Sequence, residues 1–127
     1  MRIVRRLREA EPGEFAEAVK PPLKWAGGKR WQLPELLPYW RAHSSRRLVE
    51  PFCGGLAVAT GLSPHKALLN DINPHVINLY QWLKKGLEIE FGMENAEQHY
   101  YRSRERFNEL LATGKGSTAE AAGLFYY

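Results

Sequence analysis

A strand–turn–helix segment with two adjacent glycines constrains the fold of this chain more than any other stretch. The dipeptide Leu48-Val49 suits a buried strand, and Pro51 ends it because proline has no N–H to donate to a sheet. Gly54 and Gly55 lack a Cβ, so they permit positive φ and let a ligand approach the backbone closely. The small and apolar residues 56–60 then predict a helix packed against the sheet. This order of elements favours an α/β fold, with the turn as a candidate ligand site.

A carboxylate follows the next apolar run. Residues 66–70 form that run, and Asp71 comes directly after it. A carboxylate at the tip of a second strand, beside a glycine turn at the tip of the first, suits a ribose next to a nucleotide-like group. Two plainer interpretations stay open. The turn is not a full G-x-G-x-x-G, and Asp71 also precedes a good helix start, with Asn73 as N-cap and Pro74 at the first helical position. The cap leaves the Asp71 carboxylate available for another role.

Length and charge limit the classes of protein to consider. The 127 residues make one domain or part of a larger one, and the net charge is +4. Residues 1–50 hold 11 Lys and Arg against 6 Asp and Glu, whereas residues 51–127 hold 7 against 8. A basic N-terminal half permits a polyanionic partner such as nucleic acid. An excess of this size is also normal for a solvated surface.

The single cysteine excludes an intrachain disulfide and a cysteine-based zinc cluster. Cys53 fits a reducing compartment, so we expect a cytoplasmic protein. The four histidines show no metal-ligand spacing, and we expect no metal site. No run of about 18 apolar residues is present, which predicts no membrane span, and the basic start has no apolar segment behind it that would make a secretory signal.

The N-terminal third combines an extension with a second glycine-containing segment. Residues 1–20 predict a loosely ordered basic extension with a short helix at 14–19. In the segment 23–30, two glycines free backbone N–H groups to face an anion, and Lys29 adds a positive charge. The Walker A pattern is absent, so a nucleotide triphosphate does not fit. A short helix is predicted to follow through Leu37 and to stop at Pro38.

Three helices are predicted in the second half. Residues 74–85 form an amphipathic helix with an apolar stripe at Val76, Leu79, Tyr80 and Leu83. A second helix is predicted over 96–112, with Arg104 inside its apolar stripe. That position makes Arg104 a buried paired arginine or a ligand to something polar, and we expect it to fix the helix from inside. The pattern of residues 117–120 predicts a capping box that opens a third helix. Because no stop signal closes this helix, we expect the chain to be cut inside an element.

Four segments together resemble the Dam-type DNA adenine-N6 methyltransferases. In the family's order they are Pro22-Leu23-Lys24-Trp25-Ala26-Gly27-Gly28-Lys29, Glu50-Pro51-Phe52-Cys53-Gly54-Gly55, Asn70-Asp71-Ile72-Asn73, and Tyr100-Tyr101-Arg102-Ser103-Arg104-Glu105-Arg106-Phe107-Asn108. The first three are similar to the family's cofactor motifs, and the fourth is similar to a signature in its helical DNA-recognition insert. Each is weak singly, whereas four in order are specific.

The resemblance implies a site for S-adenosylmethionine. The cofactor-binding residues would be Trp25, Gly28, Lys29, Phe52, Gly54, Gly55, Asp71 and Ile72. Two aromatic side chains, Trp25 and Phe52, would pack against the cofactor, and Lys29 would attract its methionine carboxylate. Asp71 would hold the ribose. The sulfonium is already a leaving group, so the enzyme must mainly align the adenine amine with the methyl group and flip the base out of the duplex.

The resemblance also implies contact with double-stranded DNA. Arg102 and Arg106 lie four residues apart on one helix face and are the candidates for phosphate contact. Tyr100, Tyr101 and Phe107 have the residue type to stack on bases, but their helical spacing favours packing. Cys53 has no persuasive histidine partner, so we expect a small loop residue and not a nucleophile.

The family's catalytic tetrapeptide, Asp-Pro-Pro-Tyr, does not occur in the sequence. We therefore expect an N-terminal portion of an adenine-specific DNA methyltransferase that does not methylate DNA alone. Two alternatives stay open: a non-catalytic remnant that retains some DNA affinity, and one half of a split enzyme that is completed by a C-terminal half or a second chain. The biological setting could be restriction-modification, a phage or bacterial housekeeping.

The expected fold is α/β, a partial Rossmann-like methyltransferase sheet followed by the start of a helical recognition insert. We expect a basic extension at 1–20, the cofactor-binding portion at 21–75 and the insert at 76–127. Two or three strands are predicted, around 46–52 and 66–71, with a possible third near 23–25. Because a parallel sheet needs cover on both faces, a chain this short should be unstable or paired with another.

Overall fold

A computed structural model describes residues 20–89 and 97–127. The expected extension at residues 1–20, with its helix at 14–19, falls outside the described residues apart from Lys20. A mixed α/β arrangement of helices and one small parallel sheet is present. The chain divides into two compact units, within residues 20–72 and residues 73–127.

The first unit contains the strands. A short 3-10 helix at Arg30–Gln32 leads into helix α1 (Leu33–His43), which is followed by strand β1 (Leu48–Glu50), helix α2 (Ala57–Leu62) and strand β2 (Ala67–Leu69). The two strands pair in parallel, with Leu48 opposite Ala67 and Glu50 opposite Leu69. Both strands lie inside their predicted ranges. The possible third strand near 23–25 does not form in the described residues.

The predicted end of the first helix at Pro38 is wrong, because α1 continues through Pro38 to His43. A proline inside a helix removes one backbone donor and crowds the preceding turn. The fixed φ of proline, about −65°, is itself compatible with a helix, and α1 packs on α2 from its first residue. The Leu33 side chain is buried and lies so close to Gly61 that a Cβ at position 61 would overlap it.

The buried strand expected at Leu48-Val49 is only half correct. The Val49 side chain is 53% exposed, and its partner across the sheet, Leu68, is 52% exposed. Since register partners in a parallel pair point to the same face, the described residues leave one face of this sheet open. On the opposite face Ala67 is exposed, but Leu48, Glu50 and Leu69 are only partly exposed, so this face is shielded better.

The second unit is helical. Helix α3 (Pro74–Lys84) is followed by α4 (Glu97–Ala112) and α5 (Ala119–Tyr126). As predicted, Asn73 caps α3, its side-chain oxygen accepting from the His75 N–H over 3.0 Å. Val76 and Leu79 of the predicted stripe are fully buried. The small buried residues Ala121, Ala122 and Gly123 let α5 pack on α3.

The predicted capping box of α5 is wrong in detail. Thr118, not Ser117, is the N-cap, and its hydroxyl oxygen accepts from the Ala121 N–H over 3.2 Å. Glu120 therefore lies in the first turn, one position earlier than a capping box requires, and its carboxylate pairs with Arg106 on α4.

Polar side chains of α3 hold the loop before α5. The Asn78 amide nitrogen donates to the carbonyl oxygens of Gly116 and Thr118, each over 3.2 Å. The Trp82 indole N–H donates to the Ser117 carbonyl over 3.0 Å. Three consecutive backbone carbonyls are thus satisfied by one helix, which fixes the start of α5 against α3.

Candidate functional site

The tips of the two strands meet through a hydrogen bond. The Gly54 N–H donates to Oδ2 of Asp71 over 2.9 Å, across 17 positions of sequence. Backbone bonds align the two chain segments below it, since the Asn70 N–H donates to the Glu50 carbonyl and the Cys53 N–H to the Asn70 carbonyl. The parallel register therefore brings the predicted acid to the predicted glycine turn.

The glycine turn has a conformation that suits glycine. Gly54 has φ +45°, in the left-handed region that costs most residues energy. Leu56, which precedes α2, also has positive φ, at +64°. The chain reverses sharply here from strand to helix, and Gly54 stays partly exposed whereas Gly55 is buried.

Trp25 lies against this turn. A Cβ built on Gly55 would come within 2.6 Å of the Trp25 Cβ and 3.3 Å of the Leu23 carbonyl oxygen. A Cβ on Gly54 would lie 3.0 Å from the indole ring. The two glycine-containing segments predicted from the sequence are thus in contact, and the glycines allow it. The Trp25 side chain remains 37% exposed.

The segment at Gly28 and Lys29 forms its own turn. The Gly28 N–H donates to the Trp25 carbonyl over 3.2 Å, and Gly27 has φ +75°. Nζ of Lys29 donates back to the Gly27 carbonyl over 2.9 Å. The ammonium group is exposed beside the loop that carries Trp25.

Two large apolar side chains project into solvent next to the strand tips. Phe52 is 82% exposed and Ile72 is 91% exposed. Phe52 follows β1, and Ile72 follows Asp71 after β2. Exposed apolar side chains beside a polar anchor are typical of a ligand site, where a few polar groups orient a mostly apolar partner.

Glu50 is a residue that the sequence reasoning missed. Its Oε2 atom is shielded from solvent and has no hydrogen-bond partner in the described part of the chain. Burial raises the pKa of the Glu50 carboxyl, and the Ala59 backbone N–H opposes that shift. The sequence signal that could have identified Glu50 is its position as the last residue of β1, directly before the turn. A shielded acceptor at a strand tip can receive a donor from a ligand.

Cys53 lies between these acids and is poorly suited to act as a nucleophile. Its side chain is 3% exposed. Burial, together with the negative charges of Asp71 and Glu50, raises the pKa of its thiol to about 11. The thiol therefore stays protonated at neutral pH, and the thiolate is the reactive form.

The predicted DNA-contacting arginines lie on α4, in the second unit. The described residues give Arg102 no hydrogen bond or ion pair, and it is exposed. Arg106 is paired. Its Nε and Nη2 donate to the two carboxylate oxygens of Glu120 over 2.7 and 3.2 Å, and its Nη1 donates to Glu109 over 3.1 Å. These bonds raise the pKa of Arg106 and lower that of Glu120.

The expectation that Arg104 fixes the helix from inside is wrong. The inward face of α4 carries His99, Ser103, Phe107 and Leu110 instead. Arg104 is exposed and lines an open pocket of about 170 Å³. The other lining residues are Tyr100, Ser103, Phe107, Leu124, Phe125 and Tyr127. Phe107 packs among aromatic rings of α3 and α5, whereas Tyr100 and Tyr101 stay half exposed.

The described residues show neither a metal-binding group of side chains nor a membrane-spanning helix. Residues 20–89 and 97–127 contain no group of three or more His, Cys, Asp or Glu side chains placed to hold a metal ion. Over the same residues, none of the helices combines the length and apolar character needed to cross a bilayer.

Comparison with known proteins gives consistent matches. Residues 25–127 match the family described as D12 class N6 adenine-specific DNA methyltransferase. The Type II methyltransferase M1.LlaDCHI of Lactococcus lactis subsp. cremoris is 35% identical over 117 residues, which cover 86% of this chain and 40% of that protein. The DNA N-6-adenine-methyltransferase of Escherichia phage P1 is 35% identical over 111 residues, covering 82% of this chain and 14% of that protein.

A third relative is the DNA adenine methylase of Haemophilus influenzae, which is 34% identical over 98 residues, or 70% of this chain and 34% of that protein. The chain thus spans between 14% and 40% of the length of these three relatives. No solved structure gives a significant match. The family match covers most of the chain and includes the glycine turn, Asp71 and α4, so this chain belongs to the D12 class N6 adenine-specific DNA methyltransferase family.

Proposed function

We propose that this chain forms the cofactor-binding portion of an enzyme that transfers a methyl group from S-adenosylmethionine to N6 of adenine in double-stranded DNA. The observation that carries the proposal is the 2.9 Å hydrogen bond from the Gly54 N–H to Asp71. It brings a carboxylate and the glycine turn together at the carboxyl ends of adjacent parallel strands. In open α/β sheets that is where nucleotide-like ligands bind. We further propose that β1 and β2 are part of a Rossmann-like sheet.

The residues at this turn fit the chemical groups of the cofactor. A carboxylate has two oxygens with several acceptor positions, so Asp71 can accept from Gly54 and also from ribose hydroxyls. Phe52 and Ile72 offer exposed apolar surface for the flat adenine ring. Trp25 and the backbone at Gly54 and Gly55 would line the path of the amino-acid tail.

Two charged side chains complement the ends of that tail. Lys29 is an exposed cation on the loop that carries Gly28 and Trp25, and it would attract the carboxylate of the cofactor's methionine part. Glu50 has an acceptor oxygen without a partner in the described residues, which suits the adjacent ammonium group. When bound, the cofactor supplies a methyl group on a positively charged sulfur, a good leaving group. The protein's part is to hold and orient it.

The helical unit supplies the proposed contact with DNA. Arg102 on α4 is exposed and, within the described residues, unpaired, so its guanidinium is available to a phosphate. Phosphate contacts position a protein on the duplex without reading its sequence. We propose that α4 belongs to the recognition insert and that Arg102 contributes to this positioning.

Methyl transfer is not expected from these 127 residues alone. The tetrapeptide Asp-Pro-Pro-Tyr does not occur among them, so they lack the carboxylate that would orient the adenine amine and the aromatic ring that would stack on the flipped base. A polypeptide segment that supplies those groups is required. Incubating the chain with labelled cofactor and adenine-rich duplex should give no incorporation above background.

Calorimetric titration with S-adenosylmethionine tests the cofactor site. The chain should bind saturably, and Asp71→Ala should weaken binding by about tenfold or more, because a hydrogen bond to a charged group is worth about 1.5–3 kcal/mol. The matched control is Glu35→Ala, which removes the same charge from the exposed face of α1. No binding by the chain, or equal binding by both variants, would refute the proposal.

A further inference from the structure

We infer that Arg106 does not contact DNA but is a positioning residue: its ion pair with Glu120 fixes α5 on α4 and leaves phosphate contact on that helix face to Arg102. The inference rests on the proposed function, since it concerns how the helical unit meets a duplex. It reassigns one of the two arginines whose spacing had marked them as equivalent.

The hydrogen-bond donors of Arg106 are already in use. All three guanidinium nitrogens of Arg106 already donate to carboxylates, two of them side by side to Glu120 and the third to Glu109. A bidentate pair of this kind has a defined direction as well as a favourable energy. A phosphate would have to displace one of the carboxylates to gain similar bonds.

The charges around Arg106 and Arg102 also differ. The Arg106 charge is offset by its two carboxylate partners, Glu109 and Glu120. With the Lys115 ammonium near Glu120, the group has no net positive charge to attract a phosphate. Arg102, one turn away on the same helix face, has neither a hydrogen bond nor an ion pair among the described residues, and its positive charge is not offset in this way. The two positions therefore differ in the charge that they present to a polyanion despite their identical residue type.

The ion pair between Arg106 and Glu120 links two helices. Arg106 lies on α4 and Glu120 in the first turn of α5, 14 residues further on. A carboxylate in the first turn of a helix also interacts favourably with the helix dipole. The pair thus joins the second half of α4 to the first turn of α5. The other contacts of this helix–loop–helix segment are the packing of α4 on α5 and the bonds from α3 to the intervening loop.

The test measures duplex binding of the full chain by fluorescence anisotropy over a range of salt concentrations. Each phosphate contact contributes about 0.9 to the slope of log affinity against log salt. Arg102→Gln should lower that slope by about 1. Arg106→Gln should leave the slope unchanged, and any loss of affinity should be equal at all salt concentrations.

A charge exchange separates positioning from contact. The exchange is made in a Glu109→Gln background, so that Arg106→Glu does not place two acids one turn apart. In this background Arg106→Glu and Glu120→Arg should each weaken duplex binding and lower the thermal midpoint. The two substitutions together should recover most of the lost affinity and most of the lost thermal stability. If Arg106 contacts a phosphate, two results are expected. Arg106→Gln would lower the salt slope as Arg102→Gln does, and the charge exchange would recover no affinity. Either result overturns the inference.

The thermal readout keeps this test separate from the proposed function. If the chain binds no duplex at all, the proposed DNA contact fails, yet the unfolding cycle still decides the role of Arg106. Non-zero coupling between positions 106 and 120 in that double-mutant cycle supports the ion pair as a positioning contact. Additive effects would overturn it.

Discussion

Val49 and Leu68 are register partners across the parallel strand pair, and about half of each side chain is exposed to solvent. Parallel sheets are normally covered on both faces, so these two residues mark a face that the described residues leave open. From the sequence, a chain this short is predicted to be unstable or paired with another. The exposure of Val49 and Leu68 locates the surface to which that expectation applies.

Polar replacement on this face should cost little stability. Threonine has the β-branched shape that suits a strand. Val49→Thr combined with Leu68→Thr should therefore change the free energy of unfolding by less than about 1 kcal/mol and should reduce self-association. Leu69→Thr, on the better-shielded face of β2, is the control and should cost more. Urea denaturation and light scattering measure the two effects. A larger loss from the paired variant than from Leu69→Thr would show that the face is covered in solution.

Adding a methyl group at the glycine turn should disturb the contact with Trp25. In Gly55→Ala the new Cβ would lie 2.6 Å from the Trp25 Cβ and 3.3 Å from a backbone oxygen, so a main-chain segment must shift. Overpacking of this kind costs about 1–3 kcal/mol. Gly28→Ala, whose Cβ would meet only the Trp25 carbonyl at 3.3 Å, should cost less. Equal midpoints for the two variants in urea denaturation would contradict the close approach.

The loop before α5 depends on Asn78. Asn78→Ala removes the side-chain donor of the Gly116 carbonyl, whereas the Thr118 carbonyl still accepts from the Ala122 N–H. A shielded acceptor left unsatisfied costs about 1–3 kcal/mol. Gln81→Ala removes an amide from the exposed face of the same helix and should be close to neutral. Thermal unfolding of the two variants checks this. A neutral Asn78→Ala would mean that the loop finds other donors.

The Cys53 thiol should react slowly in the folded chain. Its pKa is raised from 9.0 to about 11, so the thiolate fraction at pH 8 is smaller than in the unfolded chain and rises only as the pH approaches 11. Burial adds to this protection. Alkylation by iodoacetamide should therefore accelerate sharply in denaturant at fixed pH, while Cys53→Ala should retain cofactor binding. Fast alkylation of the native chain would contradict the described environment of the thiol.

Local signals in the sequence predicted the elements that local chemistry decides. Asn73 and Pro74 marked the start of α3 correctly, because a side-chain cap and a proline at the first position act within one turn. The meeting of Gly54 and Asp71 was also foreseeable, since adjacent parallel strands place their carboxyl ends together. The family resemblance, confirmed by the match over residues 25–127, rested on four segments that include these two.

The features that the sequence did not reveal depend on tertiary contacts. Pro38 reads as a stop signal, but α1 packs on α2 and continues past Pro38 to His43. The partner of Arg106 could not be read from spacing, since Glu120 lies 14 residues away on another helix. The shielded oxygen of Glu50 becomes apparent only once the residues around β1 are in place.

Amide NMR of the chain during addition of S-adenosylmethionine tests the central claim most directly. The account predicts saturable shifts of the Gly54, Gly55, Asp71 and Ile72 amide signals with a common midpoint. Asp71→Asn keeps an acceptor oxygen for the Gly54 N–H but removes the charge. In this variant the midpoint should move to a higher cofactor concentration. Shifts confined to other parts of the chain, or unmoved signals at saturating cofactor, would contradict it.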